Sequence, residues 1–370
     1  MRADADRAHM RAALGLAARH LGRTWPNPAV GCVLVHEDRV VGRGWTAPGG
    51  RPHAEAMALA HAGAAAAGAT AYVTLEPCAH VGRAGPCTGA LIAAGVRRVV
   101  AALEDPDPRT AGQGFARLRA AGIAVETGLE AEAARQINAG FLLRLTAGRP
   151  LVTLKLAPSL DGRIATARGE SRWITGREAR LRGHVLRATH DAILVGIGTA
   201  LVDDPALTCR FPGAPERPAL RIVLDRHLRL PLTHRLVRDA RTFPSLVLHG
   251  PRADPDRAAA MRAAGVDLAA VAEAAEGLDL DSALSVLAAR GITRVLCEGG
   301  GRVAAALLRA DRVDRLVRFS GGRVIGGDGV ASVGGFGLAA LAASPRFRLL
   351  SAQTCGDDVM ELWARADESG

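Results

Sequence analysis

At 370 residues the chain is longer than one average domain and has room for two hydrophobic cores. A hydrophobic fraction of 49% with 23% charged residues excludes a disordered or fibrous protein, and aromatics at only 3% leave Ala, Val and Leu to fill the interior. The formal net charge of +10 raises the question of nucleic acid. However, the arginines are scattered and never interleave with aromatics as a single-strand stacking platform requires, so no nucleic-acid partner is expected.

The charged segment Met1 to Met10 lacks the apolar stretch of a secretory signal. No apolar run approaches the ~20 residues of a membrane span, so a cytoplasmic protein with no membrane partner is expected. From Ala8 to His20 apolar residues recur at helical spacing. Trp25-Pro26-Asn27-Pro28 breaks that helix before a buried strand, Ala29 to Val35, and Arg39 to Trp45 reads as the returning strand of a hairpin. Pro52 to Ala67 is alanine-rich and helical with Pro52 at its start, and Ala71 to Leu75 is a strand. Helix Cys87 to Ala94, strand Arg98 to Leu103, helix Gly114 to Ala121 and helix Ala131 to Leu145 follow. Strands alternating with helices predict an α/β layer with parallel pairing.

Around Thr146 to Pro150 the pattern resets, which places a domain boundary there, dividing residues 1–147 from 148–370. The second half opens with strand Leu151 to Ala157. It continues with strands Ala192 to Val195, Arg221 to Leu224 and Ser245 to His249, helix Leu280 to Arg290, strand Arg294 to Cys297 and helix Val303 to Ala310.

Six cysteines are too few for a disulfide framework, and in a reducing compartment a motif-embedded pair reads as metal ligands. His53 precedes Ala54-Glu55 at a helix start, and Pro77-Cys78 and Pro86-Cys87 flank the next strand-to-helix passage. His53, Cys78 and Cys87 would leave the fourth tetrahedral position of zinc open, as a catalytic site needs, and a zinc-bound water ionises near neutral pH. Glu55, a non-ligand, would move the proton from that water to the ring nitrogen and the departing amine, which makes the site a deaminase. The spacing between the cysteines, Ala79 to Pro86, exceeds the two residues usual in nucleobase deaminases. Within it, His80 and Arg83 suit hydrogen bonding and phosphate pairing, although a solvated loop would look the same. Cys32, Cys209, Cys297 and Cys355 carry no motif and read as core residues. Lys155 is the only lysine in the chain. It marks a place where arginine does not serve, or it survived by chance.

The second half has no Rossmann fingerprint, since Gly196-Ile197-Gly198-Thr199 lacks a third glycine. Gly299-Gly300-Gly301 lies between a buried strand and an alanine-rich helix, either as a bare turn or as a phosphate cradle at a helix N-terminus.

With these segments assembled, the chain resembles the bifunctional deaminase-reductase of riboflavin biosynthesis over nearly its whole length. In the first half the resemblance rests on Pro26 to Gly31, Pro52 to Glu55 and Thr74 to Cys87, where the long cysteine spacing is the family's own variant. In the second it rests on Lys155 to Arg163, Ser171 to Thr175, Asp203 to Thr208 and Glu298 to Gly300. It implies a cytidine-deaminase-like α/β/α layer domain followed by a dihydrofolate-reductase-like α/β domain. It also implies deamination of a phosphorylated diaminopyrimidinone ribosylamine with Zn2+, NADPH-dependent reduction of its ribosyl group to ribityl, and a homo-oligomer.

By the same resemblance Asn27 and His80 would hold the pyrimidine and Arg83 the phosphate. Ala157, Trp173, Thr199, Asp203 and the glycines 299–301 would contact NADPH. Ser171, Arg187, Leu207 and Arg210 would contact the substrate, as would Glu298, which forms with Lys155 a polar pair near the reacting ribose. Pro158, Ala84-Gly85 and Ser320 to Arg323 depart from the family's usual residues. Two rival readings are an RNA-editing deaminase whose second domain grips tRNA, and a deaminase with a non-catalytic assembly domain.

Overall fold

The computed structural model describes residues 2–79, 85–107, 111–214 and 218–366. The chain forms two compact units, Met1–Gly148 and Arg149–Gly370.

The first unit begins with α1 (Arg2–Ala18), the hairpin β1 (Gly31–His36) and β2 (Arg39–Trp45), and α2 (Ala54–Ala62). It continues through β3 (Thr70–Val73), α3 (Cys87–Ala93), β4 (Arg98–Ala101), α4 (Gln113–Ala120), β5 (Ala124–Thr127) and α5 (Ala131–Thr146). The sheet order is β2-β1-β3-β4-β5. The parallel pairing expected from strand-helix alternation holds for β3, β4 and β5. It fails at β1, which is antiparallel to both neighbours because a hairpin delivers β2 and α2 lies between β2 and β3. Residues such as Cys32, Val33 and Leu34 on β1 and Ala71 and Val73 on β3 are fully buried, as expected of strands covered on both faces.

Helix α2 packs close against β2. A Cβ on Gly44 would come within 2.0 Å of the Ala54 carbonyl oxygen, so only glycine lets the helix start approach the strand. The helix does not begin at Pro52. His53 is its N-cap, in extended conformation (φ −72, ψ 159), and this leaves Pro52 outside the helix.

In the second unit β6 (Leu151–Leu156), β7 (Arg163–Ala165), α6 (Arg177–Ala188), β8 (Ala192–Gly196), α7 (Ile197–Asp203) and β9 (Leu220–Leu224) come first. Then follow α8 (Arg235–Arg238), β10 (Ser245–His249), α9 (Pro255–Ala263), β11 (Asp267–Ala270), the short hairpin β12 (Glu273–Ala274) and β13 (Gly277–Leu278), and α10 (Leu280–Ala289). The unit ends with β14 (Arg294–Cys297), α11 (Gly301–Arg309), β15 (Arg315–Ser320), β16 (Val330–Ala331), β17 (Phe347–Cys355) and β18 (Asp358–Arg365).

Its main sheet runs β11-β10-β9-β8-β14-β6-β15-β18-β17. Pairing is parallel from β11 to β15 and antiparallel at β18 and β17. The central strands are apolar and buried, whereas β17 is an exposed edge. Among the described residues no helix is long and apolar enough to cross a membrane.

Candidate active sites

In the first unit the side chains of interest sit where elements begin and end. His53 caps α2, Glu55 lies in its first turn, Cys87 opens α3, and Cys78 occupies the loop after β3. His53, Cys78 and Cys87 bring their donor atoms within 4.8 Å of one another. His53 Nδ1 lies 3.3 Å from Cys87 Sγ and 3.6 Å from Cys78 Sγ. With zinc bonds of about 2.1 Å to nitrogen and 2.3 Å to sulfur, a tetrahedral nitrogen-sulfur edge is about 3.6 Å, so the three donors fit one zinc ion.

Charge makes the same point. The Cys87 thiol donates to Cys78, and with the help of His53 this holds the Cys78 sulfur as a thiolate, with a pKa of about 4. The Cys78 sulfur and burial then push the Cys87 thiol far up. Two sulfurs this close ionise together only around a cation. All six cysteines lie outside disulfides.

Glu55 is buried. Desolvation raises its carboxyl to about 6, with Cys78 adding to the rise and His53 opposing it. It faces a cleft of about 870 Å³, part of it open to solvent, which Asn27, His53 and Cys78 also line. The loop bearing Asn27 is tied to α5: Asn138 accepts from the Ala29 N–H at 2.9 Å and donates to the Ala29 carbonyl at 3.0 Å. His80 and Arg83 lie outside the described residues.

Glu76 falls within the stretch Thr74 to Cys87. The structure gives it work to do: its buried carboxylate accepts the N–H groups of Asp105, Gly112, Gly114 and Phe115 at 2.8–3.3 Å. These contacts pin the loop between β4 and α4 beside Cys78. Asp105, Asp107, Arg51 and Arg144 also line the cleft and were not anticipated. The available signal for Glu76 was a carboxylate embedded in an otherwise apolar strand-to-loop passage.

In the second unit one cleft of about 1720 Å³ is lined by Lys155, Ala157, Ser171, Trp173, Arg187, Thr199, Asp203, Leu207, Arg210, Glu298, Gly299 and Gly300. Residues from six separate stretches of sequence thus meet at one place. Gly301 opens α11 but does not line the cleft.

Gly299 lies where β14 and β8 pass closely, and a Cβ there would be 2.6 Å from the Gly196 nitrogen. Gly300, at φ +52, is the N-cap of α11, and Thr199 Oγ1 stands 2.9 Å from where its Cβ would be. This juxtaposes the glycine turn with the start of α7. Trp173 is largely exposed, and the Arg180 guanidinium lies 4.4 Å from its ring centroid.

Lys155 and Glu298 line the same cleft and act on one another electrostatically, but the carboxylate's direct partner is Arg187. Glu298 is held by Arg187 in a two-pronged ion pair, Nε to Oε1 at 2.6 Å and Nη2 to Oε2 at 3.0 Å. Arg187 also donates to the Thr208 carbonyl at 2.9 Å. Burial alone would raise the Glu298 carboxyl, but Arg187, with help from Lys155, outweighs it and holds the carboxyl at about 2. Among the described residues no salt bridge joins Lys155 to Glu298, and Lys155 Nζ lies 5.8 Å from the Phe319 ring centroid. Desolvation pulls the Lys155 ammonium below the usual lysine value, while Glu298 opposes this and Arg187 adds to it.

Two of the departures from the family pattern face each other: the Gly321 N–H donates to the Pro158 carbonyl at 2.9 Å. Of the cysteines read as core residues, Cys32, Cys297 and Cys355 are buried but Cys209 is only partly so.

Residues 3–103 match the cytidine and deoxycytidylate deaminase zinc-binding region, and residues 150–360 match the RibD C-terminal domain. The riboflavin biosynthesis protein RibD of Escherichia coli is 42% identical over 96% of this chain and 98% of its own length. That of Aquifex aeolicus is 39% identical over 97% and 98%. The Acinetobacter baumannii RibD structure superposes with a TM-score of 0.89 at 37% identity, covering 99% of this chain and 100% of that one. A Thermotoga maritima structure described as a diaminohydroxyphosphoribosylaminopyrimidine deaminase/5-amino-6-(5-phosphoribosylamino)uracil reductase gives 0.86 at 32%, with the same coverage.

Proposed function

The chain belongs to the RibD family of riboflavin biosynthesis, and from that premise we propose how its residues divide the work of deamination and reduction. It is a bifunctional deaminase and reductase that uses Zn2+ and NADPH and acts on phosphorylated pyrimidine small molecules. Neither an RNA-editing role nor a silent second domain is favoured by relatives that match end to end.

Residues 1–147 form the deaminase domain and residues 148–370 the reductase domain. The substrate of the first is the diaminopyrimidinone ribosylamine phosphate, and its product is the substrate of the second. His53, Cys78 and Cys87 hold zinc, which when bound makes a water molecule a competent nucleophile at neutral pH. Glu55 would take one proton from the attacking water and pass it to the ring nitrogen, then take the second from the hydroxyl so added to the ring and deliver it to the leaving amine, so that water enters and ammonia leaves. Asn27 and His80 orient the pyrimidine, and Arg83 pairs with its phosphate.

NADPH, when bound along Ala157, Trp173, Thr199, Asp203, Gly299 and Gly300, supplies the hydride. Ser171, Arg187, Leu207 and Arg210 hold the phosphorylated substrate. Glu298 keeps Arg187 oriented through their ion pair and faces the same cleft. Opening of the ribose ring gives an imine and a free hydroxyl. Lys155, its ammonium made more acidic by burial, supplies a proton to the ring oxygen as the ring opens.

A cytoplasmic location suits thiolate ligands that must stay reduced. The exposed edge strand β17 suits a homo-oligomer.

The observation that carries the deaminase assignment is the convergence of His53, Cys78 and Cys87 on one tetrahedral geometry beside the buried Glu55. The test is a coupled assay on one phosphorylated substrate, following ammonia release and then loss of NADPH absorbance. Both signals, in that order, are expected. Ammonia without NADPH oxidation would remove the reductase roles.

A further inference from the structure

One wall of the second cleft is the segment that runs from the end of α7 to Arg210 and contributes Asp203, Leu207 and Arg210. Leu207 stands at φ +50, in the left-handed region that a leucine adopts only where its surroundings impose it. The constraint is visible on both sides of the residue. The Thr208 carbonyl accepts from Arg187 Nη1 at 2.9 Å and lies 3.1 Å from His184 Nδ1, both from α6. The Ala206 carbonyl accepts from Arg221 Nη1 at 3.3 Å.

Arg221 does not line the cleft. It is the second residue of β9 and is fully buried. Its Nη2 donates to the Phe243 carbonyl just before β10, and the guanidinium lies 5.6 Å from the Phe243 ring centroid. Among the described residues no carboxylate forms a salt bridge with it. Burial pulls the guanidinium down to about 10, with Asp239 opposing.

A charge kept dry without a counter-ion costs stability, and an apolar side chain of similar length would fill the space without that cost. The guanidinium offers what an apolar side chain cannot, a rigid fork of donors that spans carbonyls from two separate segments. Packing does not call for it, whereas holding Ala206 does.

We infer that Arg221 is a positioning residue of the reductase: from outside the cleft, its grip on the Ala206 carbonyl fixes Leu207 and Arg210 for the substrate. The inference rests on the reading of the second cleft as the reductase site. The other end of the same wall is held separately, because Asp203 closes α7 and Asp204 accepts from the Arg235 N–H at 2.8 Å. Loss of the Arg221 clamp should therefore reach the substrate and spare NADPH.

The experiment measures reduction of the deaminated substrate by the intact enzyme, Arg221→Met and Arg221→Lys, with kcat, KM for the substrate, and Kd for NADPH from its fluorescence. R221M removes both donors, so KM for the substrate should rise by about tenfold or more, within the reach of a displacement of about 1 Å. Its kcat should fall less, and NADPH affinity and deamination should stay unchanged. R221K keeps the charge but reaches one carbonyl at a time, and should fall between R221M and the intact enzyme.

A merely structural role would act differently: a weakened fold lowers the amount of active enzyme, and with it kcat, without raising the KM of one ligand alone. If R221M fails to fold, the substrate KM of R221K decides the matter. A substrate KM unchanged in the variants that fold, or one that moves together with the NADPH Kd, would overturn the inference. An intact enzyme that releases ammonia but never oxidises NADPH would instead bring down the reading of the cleft itself, and this inference with it.

Discussion

In the first unit two sulfurs and an imidazole crowd within 4.8 Å of one another beside a buried carboxylate. In the second, the largely buried Glu298 has already found its counter-ion in Arg187, and further cations, Lys155 and Arg210 among them, face an open cleft. The first arrangement gathers more negative charge than its own residues neutralise, so it is complete only around a cation. The second is neutralised internally and stands ready to receive anionic ligands. Two sites in one chain thus show two ways of preorganising chemistry: electrostatic demand for a metal, and a protein ion pair that holds a scaffold before any ligand arrives.

The sharpest way to break this contrast is to remove the metal. A strong chelator is expected to abolish ammonia release while NADPH oxidation on pre-deaminated substrate continues, as separate assays of the two half-reactions will show. Loss of both activities together would mean that the second site also depends on the ion.

Glu55→Gln comes next. It keeps the ligands but removes the proton carrier, so deamination should fall by about 10²–10⁴-fold with zinc content unchanged by metal analysis.

Arg187→Met probes the other side of the contrast. It leaves Glu298 buried without its partner, which typically costs about 3–5 kcal/mol. Chemical denaturation should therefore show the second unit weakened and reductase turnover lost, with deamination kept.

The smallest effect concerns acid. The Glu298 carboxyl stands at about 2 in the folded protein against an ordinary 4.5, so the unfolded chain takes up its proton first as pH falls. The stabilisation is complete above the ordinary value and fades as pH drops from 4.5 towards 2. Glu298→Gln should flatten that part of the stability curve of the second unit without altering the first.

The two sites also differ in how far the sequence discloses them. The metal ligands sit in short motifs at element ends, where Pro-Cys and His-x-Glu spacing carries chemical meaning by itself. The second site draws on residues far apart in the chain. That Arg187 forms the ion pair with Glu298 depends on the C-terminal end of α6 meeting the residue after β14, a tertiary fact that no local pattern contains.

Among the elements, Arg39–Trp45, Ser245–His249 and Arg294–Cys297 match their expected bounds because apolar strands between turn residues announce themselves. Helix α6 is missed because its sequence is rich in arginine and only Ala179 is buried. Strands β5 and β17 are missed because they are edges with mostly exposed side chains. The role of Glu76 is invisible for a similar reason: its partners are backbone N–H groups 29 to 39 positions away.

The central claim concerns the metal centre, and X-ray absorption at the zinc edge of the purified enzyme, with metal counted per chain, tests it most directly. One zinc per chain with two sulfur neighbours, one imidazole nitrogen and one further light atom is the predicted result. A chain that purifies without zinc, a shell lacking two sulfurs, or a disulfide between Cys78 and Cys87 would contradict it.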